Sequence, residues 1–407
     1  MTLPLEGIRV LDLTTVLSGP LCTMMLADAG ADVIKIEPPG GDPARGMGPP
    51  FWGDEGCEFL ALNRNKRSIC LNLKTAGGRK VFLRLCETAD VVVENFRTGV
   101  VERLGIDHET LRAVNPRLIY CSISGFGRTG PRRDQPAYDS IMQAFVGIMK
   151  STGTADGPPV RSSVSVCDIG AGMYANQAIL LALMARERTG RGQRVETSLF
   201  EAQVAWMLFR AVGYFATGKA PAGRWGSASP HLVPYQAYPT KDDYVMVGVL
   251  NDRLFARLAE AVGLPELAGD PRFVTNKLRV AHRAELNAIL EARFRQQTTA
   301  VWVEAFTRAG IPASPINSIE DVLNDPQTDA RQMILTLLHP AVGEIKVPGP
   351  AIKFSESQRT SHLPPPLLGQ HTEEILSELG YGPADQERLR REGAIHLGER
   401  GGDSRRW

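Results

Sequence analysis

The sequence lacks the features that mark several large classes of protein. Its 407 residues carry a formal net charge of +1, so the basic excess of a dedicated nucleic-acid-binding protein is missing. The first six residues lack the basic start and apolar core of a secretory signal, and no apolar run approaches the ~20 residues that cross a bilayer. These absences predict a soluble, cytoplasmic protein that contacts neither nucleic acid nor membrane.

Metal and disulfide signatures are missing as well. The six cysteines form no C-x-x-C pair, and the seven histidines show no metal-ligand spacing with one another or with a cysteine motif. We therefore expect buried, reduced thiols and no metal site.

Familiar nucleotide-binding and hydrolytic motifs are also absent. The chain contains no G-x-x-x-x-G-K-[ST] loop, no G-x-S-x-G turn and no H-E-x-x-H pair. Residues 125–130 match G-x-G-x-x-G, but Pro131 and polar residues follow where a dinucleotide site needs a helix to begin. No permanently bound cofactor is predicted.

What the chain does contain is an alternation of short β-rich runs with helical runs, which predicts an α/β fold. The β-rich runs are apolar almost throughout, and this indicates a parallel sheet covered on both faces, in a Rossmann-like layer. The predicted strands span 8–13, 31–37, 67–73, 90–94, 118–123 and 193–199.

The composition changes after this layer. Residues 218–234 are rich in Gly, Ala, Ser and Pro and suit a linker. A smaller α+β domain is predicted beyond it, from a hairpin over 235–250 and helices over 251–263, 280–296 and 298–309. A second hairpin over 335–347, a helix over 371–379 and a frayed end over 401–407 complete the chain. The predicted division is a large domain over 1–224, a small domain over 225–325 and a C-terminal segment over 326–407.

Polar and aromatic side chains follow two of the predicted strands. Ligands bind at the carboxyl ends of parallel strands, so these residues are candidates for a binding site. Lys74, Arg97 and Arg103 suit the phosphates of a ligand, and Asn95 and Phe96 suit a base. The alternative is that these residues are solvated charges and helix caps.

Asp168 precedes a long apolar run in which small residues recur at helical spacing. One interpretation makes it the N-cap of that helix. The other makes it a carboxylate nucleophile, which the helix amides and dipole keep ionised while the small residues after it let a bulky thioester approach. The two roles are compatible.

Six stretches together resemble the class III coenzyme A (CoA) transferases, and the likeness is strongest over residues 5–205. They are Gly-Ile-Arg-Val-Leu-Asp at 7–12, Gly-Ala-Asp-Val-Ile-Lys-Ile-Glu at 30–37, Asn-Lys-Arg-Ser at 65–68, Ala-Asp-Val-Val-Val-Glu-Asn-Phe at 89–96, Ser-Gly-Phe-Gly at 124–127 and Arg-Thr-Gly-Arg-Gly-Gln at 188–193. The resemblance implies that Asp168 is the nucleophile and that CoA thioesters are substrates. It implies CoA contacts at Leu17, Ser18, Leu71, Asn72, Leu73, Lys74, Asn95, Phe96, Arg97, Arg103, Ala137, Tyr138 and Asp139. It also implies an interlocked homodimer, with the C-terminal segment returning to the large domain.

Two positions depart from the family pattern. Pro38 stands where formyl-CoA transferases carry an arginine, and Pro136 stands where they carry a lysine. We hypothesise that Arg45, Arg132 or Arg133 replaces those phosphate contacts.

The activity implied by the resemblance is transfer of CoA from an acyl-CoA to a carboxylic acid through aspartyl anhydride and aspartyl thioester intermediates. Amides near Gly170 or Gly248 are candidates for the oxyanion site. The substrates expected are succinyl-CoA and a C4–C5 dicarboxylate such as itaconate, mesaconate, citramalate or malate, with Arg224, His231 or Arg253 on the distal carboxylate.

Two alternatives stay open. A 2-methylacyl-CoA racemase resembles this chain but carries His-Asp where Tyr138 and Asp139 stand, so a two-base proton shuttle would lack a partner. A non-enzymatic acyl-CoA-binding protein would not need the intact Asp168.

Overall fold

The computed structural model describes residues 2–219, 223–357 and 359–397. The predicted frayed end and part of the predicted linker lie outside these residues. The strands are β1 (Arg9–Asp12), β2 (Asp32–Glu37), β3 (Phe51–Trp52), β4 (Glu55–Gly56), β5 (Lys66–Leu71), β6 (Val91–Glu94), β7 (Ile119–Ser124), β8 (Arg194–Ser198), β9 (Tyr235–Pro239), β10 (Tyr244–Gly248), β11 (Ala313–Pro315), β12 (Ile334–His339), β13 (Gly343–Pro348) and β14 (Ile395–His396).

Helices alternate with these strands. They are α1 (Ser18–Asp28), α2 (Cys57–Leu62), α3 (Ala76–Cys86), α4 (Val100–Leu104), α5 (His108–Val114), α6 (Asp139–Phe145), α7 (Ile148–Ser151), α8 (Val166–Thr189), α9 (Leu199–Trp206), α10 (Leu208–Thr217), α11 (Asp252–Ala261), α12 (Asn276–Ala281), α13 (Arg283–Phe294), α14 (Thr299–Arg308), α15 (Ile319–Leu323), α16 (Pro326–Ala330), α17 (Thr372–Glu378) and α18 (Pro383–Arg391). Short 3-10 helices span Pro43–Gly46 and Pro265–Ala268.

The chain forms two compact units. Within the described residues, the first unit comprises 2–146, 162–219 and 329–397, and the second comprises 147–161 and 223–328. Residues 147–161 belong to the second unit, where the Arg224 guanidinium donates to the carbonyls of Thr154, Ala155 and Gly157. The domain boundaries stated above stay predictions.

The first unit is built on a seven-stranded sheet with the order β14-β5-β2-β1-β6-β7-β8. The six strands β5, β2, β1, β6, β7 and β8 are parallel to one another. In this sheet only the short edge strand β14 runs antiparallel. The six parallel strands therefore follow the Rossmann order, with the third, second, first, fourth, fifth and sixth side by side. The predicted α/β fold with a parallel sheet is confirmed.

Apolar side chains cover both faces of this sheet, which explains why its strands read as continuous apolar runs. On one face, Leu11, Ile34 and Val92 join a buried cluster with residues of α3, α5, α17 and α18. Helices α1 and α8 pack on each other, and α8 also contacts β7, β8 and α9.

Helix α8 is long and apolar enough to span a membrane by length and composition, and it is the one such helix among the residues that the structure describes. Half of its most apolar window is buried inside the protein. That burial is the pattern of a core helix, so the composition of α8 carries no membrane assignment.

The second unit holds a three-stranded antiparallel sheet with the order β11-β10-β9. Its apolar face packs on α11, α13 and α14 through a separate core that includes Tyr238, Val247, Phe255, Phe294 and Trp302. The hairpin predicted over 235–250 corresponds to β9 and β10, and β11 adds a strand that the sequence analysis did not predict.

Candidate active site

The loops after β1 and β6 meet at the centre of the parallel sheet, where the strand order reverses. Such a switch point leaves a crevice at the carboxyl ends of the strands. Asn95, directly after β6, accepts a hydrogen bond from the Thr15 amide at 3.0 Å and donates one to the Thr15 carbonyl at 2.9 Å. Asn95 thus holds the loop that leads into α1.

The same loop contains a backbone conformation that side chains rarely adopt. Val16 has φ of 67°, which is strained for a β-branched residue. Its amide donates to the Asp42 carboxylate at 3.1 Å. Asn95 and Asp42 therefore fix the path of the chain into Leu17, the N-cap of α1, and Ser18, its buried first residue.

A cavity of about 430 Å³ lies in the first unit, at the ends of β1, β2 and β5. Six of the predicted CoA contacts line it together, namely Leu71, Asn72, Leu73, Lys74, Phe96 and Arg103. Residues that the sequence analysis did not single out complete the wall, and they include Leu13, Thr14, Thr15, Lys35, Glu37 and Asp42.

Cationic side chains stand around this cavity. Lys74 and Arg103 line it, and Arg97 follows the lining residue Phe96. All three are exposed, and none of them forms an ion pair with a residue in the described part of the chain. Most other exposed arginines of α3 and α18 are paired with a neighbouring glutamate or aspartate. Unpaired guanidinium and ammonium groups beside a cavity suit phosphate oxygens.

Buried ion pairs support the cavity from below. The Lys35 ammonium lies 2.8 Å from the Asp42 carboxylate and donates to the Thr14 carbonyl at 2.9 Å. The Lys66 ammonium lies 2.9 Å from Asp12, and burial lowers the pKa of Lys66 to about 8. Burial opposes ionisation of Asp12, yet Lys66 and Lys35 outweigh it and hold the pKa of Asp12 well below its usual range.

The end of the chain completes one side of this region. Strand β14 pairs with β5, with Ile395 opposite Leu71. The Asn72 amide nitrogen donates to the Ala394 carbonyl at 2.9 Å, and the Asn72 side chain donates to the Gly393 carbonyl at 3.2 Å. The sequence analysis missed β14 because two residues carry no periodicity.

The arginines hypothesised to replace missing phosphate contacts differ in whether their guanidinium groups are already bound within the protein. Arg45 forms two hydrogen bonds of 2.8 Å to Glu37 and stacks 3.6 Å over the Phe59 ring, so its guanidinium is committed to the interior. Arg132 and Arg133 are exposed, and their guanidinium groups hydrogen-bond to Gln135 and Asp134 in the same loop, while Arg132 also lies 4.8 Å over the Phe145 ring. The hypothesis therefore survives for Arg132 and Arg133 and loses its basis for Arg45.

Asp168 is the third residue of α8, and the N-cap is Ser165. The interpretation of Asp168 as the N-cap is wrong, because a different carboxylate accepts the amides at this helix start. Asp139 accepts hydrogen bonds from the amide nitrogens of Cys167 at 2.8 Å and Asp168 at 3.4 Å.

Burial and then the nearby Asp139 raise the pKa of Asp168 from 3.8 to about 7. The pKa of Asp168 is thus raised, in the direction opposite to the effect expected from the helix amides and dipole.

The small residues after Asp168 let other helices approach. A Cβ on Gly172 would lie 2.5 Å from the Ser18 carbonyl oxygen of α1, and one on Gly170 would meet Gln203 and Trp206. The space at these glycines is filled by neighbouring helices. The expectation that the glycines leave room for a thioester is therefore not supported.

Both amides named for the oxyanion site have partners. Gly170 is the fifth residue of α8, inside its i to i−4 ladder. The Gly248 amide donates to the Pro312 carbonyl at 3.0 Å. Neither group is free to stabilise an oxyanion.

The remaining predicted contacts lie near α6. Tyr138 is 67% exposed and is the N-cap of α6, and Ala137 packs against Gly125. Asp139 is buried, with its carboxylate engaged at α8, so we expect no side-chain contact between Asp139 and CoA. Among the candidates for the distal carboxylate, Arg224 is bound to backbone carbonyls, whereas His231 and Arg253 are exposed in the second unit.

Comparison with known proteins identifies the family. The sequence pattern of CoA-transferase family III matches residues 5–372. The chain belongs to this family. It is therefore a CoA-transferase, and the resemblance stated from the sequence is confirmed.

The relatives of this transferase are named for different carboxylic acids. The mouse succinyl-CoA:glutarate CoA-transferase is 44% identical over 398 residues, which are 97% of this chain and 91% of the relative. The Acetobacter aceti acetyl-CoA:oxalate CoA-transferase is 44% identical over 354 residues, 86% of this chain and 89% of the relative. Other relatives, at 40% identity, are named for D-citramalate and mesaconate.

A solved structure shares the fold of the transferase. A CaiB/BaiF family protein from Brucella suis is 40% identical, with a TM-score of 0.83 over 93% of this chain and 100% of the other.

Sequence reasoning missed the contact of Asp139 with the start of α8 and the polar cavity wall at Thr14, Lys35 and Asp42. Asp139 entered only as a family CoA contact, and nothing in the sequence signals its contact with α8, 28 residues further along. Lys35 carried a usable signal, since a lysine inside an otherwise apolar strand indicates a buried pair or a ligand.

Proposed function

We propose that the protein transfers CoA from succinyl-CoA to a C4–C5 dicarboxylate, with glutarate as the leading acceptor and mesaconate, citramalate, itaconate and malate as weaker ones. The observation that carries the proposal is Asp168, a partly buried carboxylate whose raised pKa is typical of a functional group, in a chain that belongs to a CoA-transferase family. The names of relatives at 40–44% identity support succinyl-CoA as donor and a dicarboxylate as acceptor.

The proposed reaction proceeds through covalent catalysis at Asp168. The ionised carboxylate attacks the thioester carbonyl, the C–S bond breaks, and a succinyl-aspartyl anhydride and CoA thiolate result. The thiolate attacks the aspartyl carbonyl of the anhydride, releases succinate and leaves an aspartyl-CoA thioester. The acceptor carboxylate then attacks this thioester and expels CoA thiolate. The thiolate finally attacks the acceptor carbonyl of the second anhydride, which yields the new thioester and restores Asp168. CoA thioesters are thus substrates, and no resident cofactor is required.

The 430 Å³ cavity is our candidate for the nucleotide end of CoA. Lys74 and Arg103, which line the cavity, and Arg97, which follows the lining residue Phe96, would bind its phosphates, because they are exposed and form no ion pair in the described residues. Phe96 and Leu73 supply apolar surface for the base.

A covalent-trapping experiment tests the reaction. The protein is incubated with succinyl-CoA and treated with hydroxylamine or borohydride, and the modified residue is mapped by mass spectrometry, with Asp168→Asn as control. We expect modification of Asp168 alone and none in the control. Exchange of the α-proton of a 2-methylacyl-CoA without modification would instead indicate the racemase, and binding with neither result would indicate an acyl-CoA-binding protein.

A panel of acceptors tests the substrate. Glutarate, mesaconate, citramalate, itaconate, malate and oxalate are compared by kcat/KM with succinyl-CoA as donor. Since a relative at 44% identity is named for oxalate, a higher value for oxalate than for every C4–C5 acid would overturn the acceptor assignment.

We also propose a homodimer. Helix α10 has no buried residue, and its Leu208, Phe209, Val212 and Phe215 are 65–78% exposed. A contiguous apolar face of this kind marks an interaction surface, and a second copy of the chain is the expected occupant. Interlocking of the two chains and a cytoplasmic location stay predictions.

A further inference from the structure

We infer that Asp139 is a positioning residue for the proposed nucleophile: it occupies the amides at the start of α8 and so leaves the Asp168 carboxylate uncommitted and available to substrate. The inference rests on the proposed role of Asp168. Asp139 itself forms no covalent bond to the substrate in the proposed reaction.

The contacts of Asp139 are fixed on both oxygens. One oxygen accepts from the amides of Cys167 and Asp168, and the other accepts from the Gln143 side chain at 2.6 Å. Gln143 is itself held, because its oxygen accepts from the Ser162 amide at 2.8 Å. Asp139 and Gln143 are 6% and 0% exposed. This rigid pair satisfies helix-start amides that would otherwise bond water or the Asp168 carboxylate.

Asp168 is left in a different state from Asp139. Its carboxylate accepts no hydrogen bond from any residue in the described ranges, although it lies one helical turn from the start of α8. A carboxylate without donors keeps its lone pairs available for attack and resists ionisation when it is buried.

Asp139 is the charge that faces Asp168. The charged groups on the packed elements are Asp28 of α1, Arg194 and Glu196 of β8, and Glu201 of α9. Each is engaged elsewhere, Asp28 with Arg64, Arg194 with Glu196, and Glu201 with the Ser198 hydroxyl. The charges on α8 itself, Arg186, Glu187 and Arg188, lie about five turns away.

The effect on reactivity follows from this arrangement. A second carboxylate beside a buried one disfavours its ionised form, so the electron pair of Asp168 is more basic than that of an ordinary aspartate. A more basic carboxylate is a stronger nucleophile toward a thioester carbonyl. Asp139 thus contributes to the chemistry through Asp168 without touching the substrate.

A purely structural role for Asp139 would predict a different outcome from substitution. If it only holds the start of α8, its removal lowers stability and activity at every pH by a constant factor. If it acts on Asp168, its removal shifts the pH dependence. The two roles are distinguished by the acid limb of the pH profile, which is the fall in kcat/KM at low pH.

The first experiment measures kcat/KM against pH for the wild type, Asp139→Asn and Gln143→Met. We expect the wild-type acid limb near pH 7 and that of Asp139→Asn about one pH unit lower, because a neighbouring charge of like sign is removed. Gln143→Met keeps the charge of Asp139 and loses its donor, so its limb does not move down. An unshifted limb in Asp139→Asn, or an equal downward shift in both variants, would overturn the inference.

The second experiment does not depend on turnover. Thermal unfolding is followed from pH 4 to 8 for the wild type, Asp139→Asn, Asp168→Asn and the double variant. We expect Asp139→Asn to flatten the pH dependence when Asp168 is present and to leave it unchanged in the Asp168→Asn background. Equal effects in both backgrounds would show that Asp139 does not act through Asp168. This cycle reports on the two carboxylates even if covalent trapping fails, so the failure of the proposed function and the failure of this inference are distinguishable.

Discussion

At the scale of single residues, Asp168 couples the stability of the fold to pH. Its pKa is raised from 3.8 to about 7, so the folded state binds a proton more tightly than the unfolded state between these two values. The contribution of Asp168 to stability is therefore fully present below pH 3.8 and is lost as the pH rises through about 7.

Asp168→Asn removes this pH dependence. We expect the variant to gain roughly 3 kcal/mol relative to wild type between pH 4 and pH 8, since one pKa unit corresponds to about 1.4 kcal/mol and partial exposure reduces the full value. Urea unfolding at several pH values measures the difference. Parallel stability curves for the two proteins would mean that the carboxylate ionises normally.

Arg103 tests the assignment of the cavity to CoA. Arg103→Ala removes one unpaired cation at the rim, and we expect KM for succinyl-CoA to rise about tenfold with little change in kcat, because a charged hydrogen bond is worth roughly 1.5–3 kcal/mol. Steady-state kinetics provide the measurement. Arg84→Ala, on α3 and already paired with Glu87, is the matched control and should leave KM unchanged. An equal rise in both variants would remove the phosphate assignment.

The sequence allowed some of these residues to be predicted and not others. Lys74, Phe96 and Arg103 were predictable because they follow strands whose carboxyl ends must share one edge of a parallel sheet. The raised pKa of Asp168 was not, because it depends first on burial and then on Asp139, and both arise only through tertiary packing. Asp is a favoured N-cap residue, but the amides at the start of α8 donate instead to Asp139 of α6.

At the scale of elements, the approach of α8 to α1 depends on a glycine. A Cβ at Gly172 would lie 2.5 Å from the Ser18 carbonyl oxygen, a backbone atom that cannot move aside. We expect Gly172→Ala to lower the free energy of unfolding by about 2 kcal/mol, despite the better helix propensity of alanine.

Chemical denaturation of Gly172→Ala and Glu187→Ala provides the comparison. Glu187 is exposed on the same helix, so its substitution should change stability by less than about 0.5 kcal/mol. A stabilising effect of Gly172→Ala would show that α1 and α8 are separated more widely than their backbone positions indicate.

Element boundaries were predictable where periodicity is strong and failed where tertiary contacts decide. The six parallel strands lie within two residues of their predicted bounds. Residues 199–217 form two helices, α9 and α10, because the chain bends at Met207 and Leu208 takes a φ of 38°. Apolar residues continue through the bend, so the sequence pattern gave no sign of it.

At the scale of the whole molecule, the apolar face of α10 leads to a prediction about assembly. Replacing Phe209 and Phe215 by aspartate would place two charges in the proposed interface. We expect the double variant to elute and scatter as a monomer, whereas the wild type is a dimer. Light scattering after gel filtration measures both masses.

Lys80→Asp, on the exposed surface of α3, controls for the added negative charge and should stay dimeric. A dimeric double variant would assign self-association to another surface, and a monomeric wild type would contradict the homodimer itself.

The edge strand β14 has a consequence for how the protein is made. Residues 393–395 bond to Asn72 and Leu71 beside the cavity, so the first unit closes only when these residues have left the ribosome. The second unit ends at Thr328 and is complete well before that point. Because chains fold as they are synthesised, the second unit has all its strands while β5 still lacks a partner on its outer side. During synthesis the sheet therefore exposes an open edge until residues 393–395 have been translated.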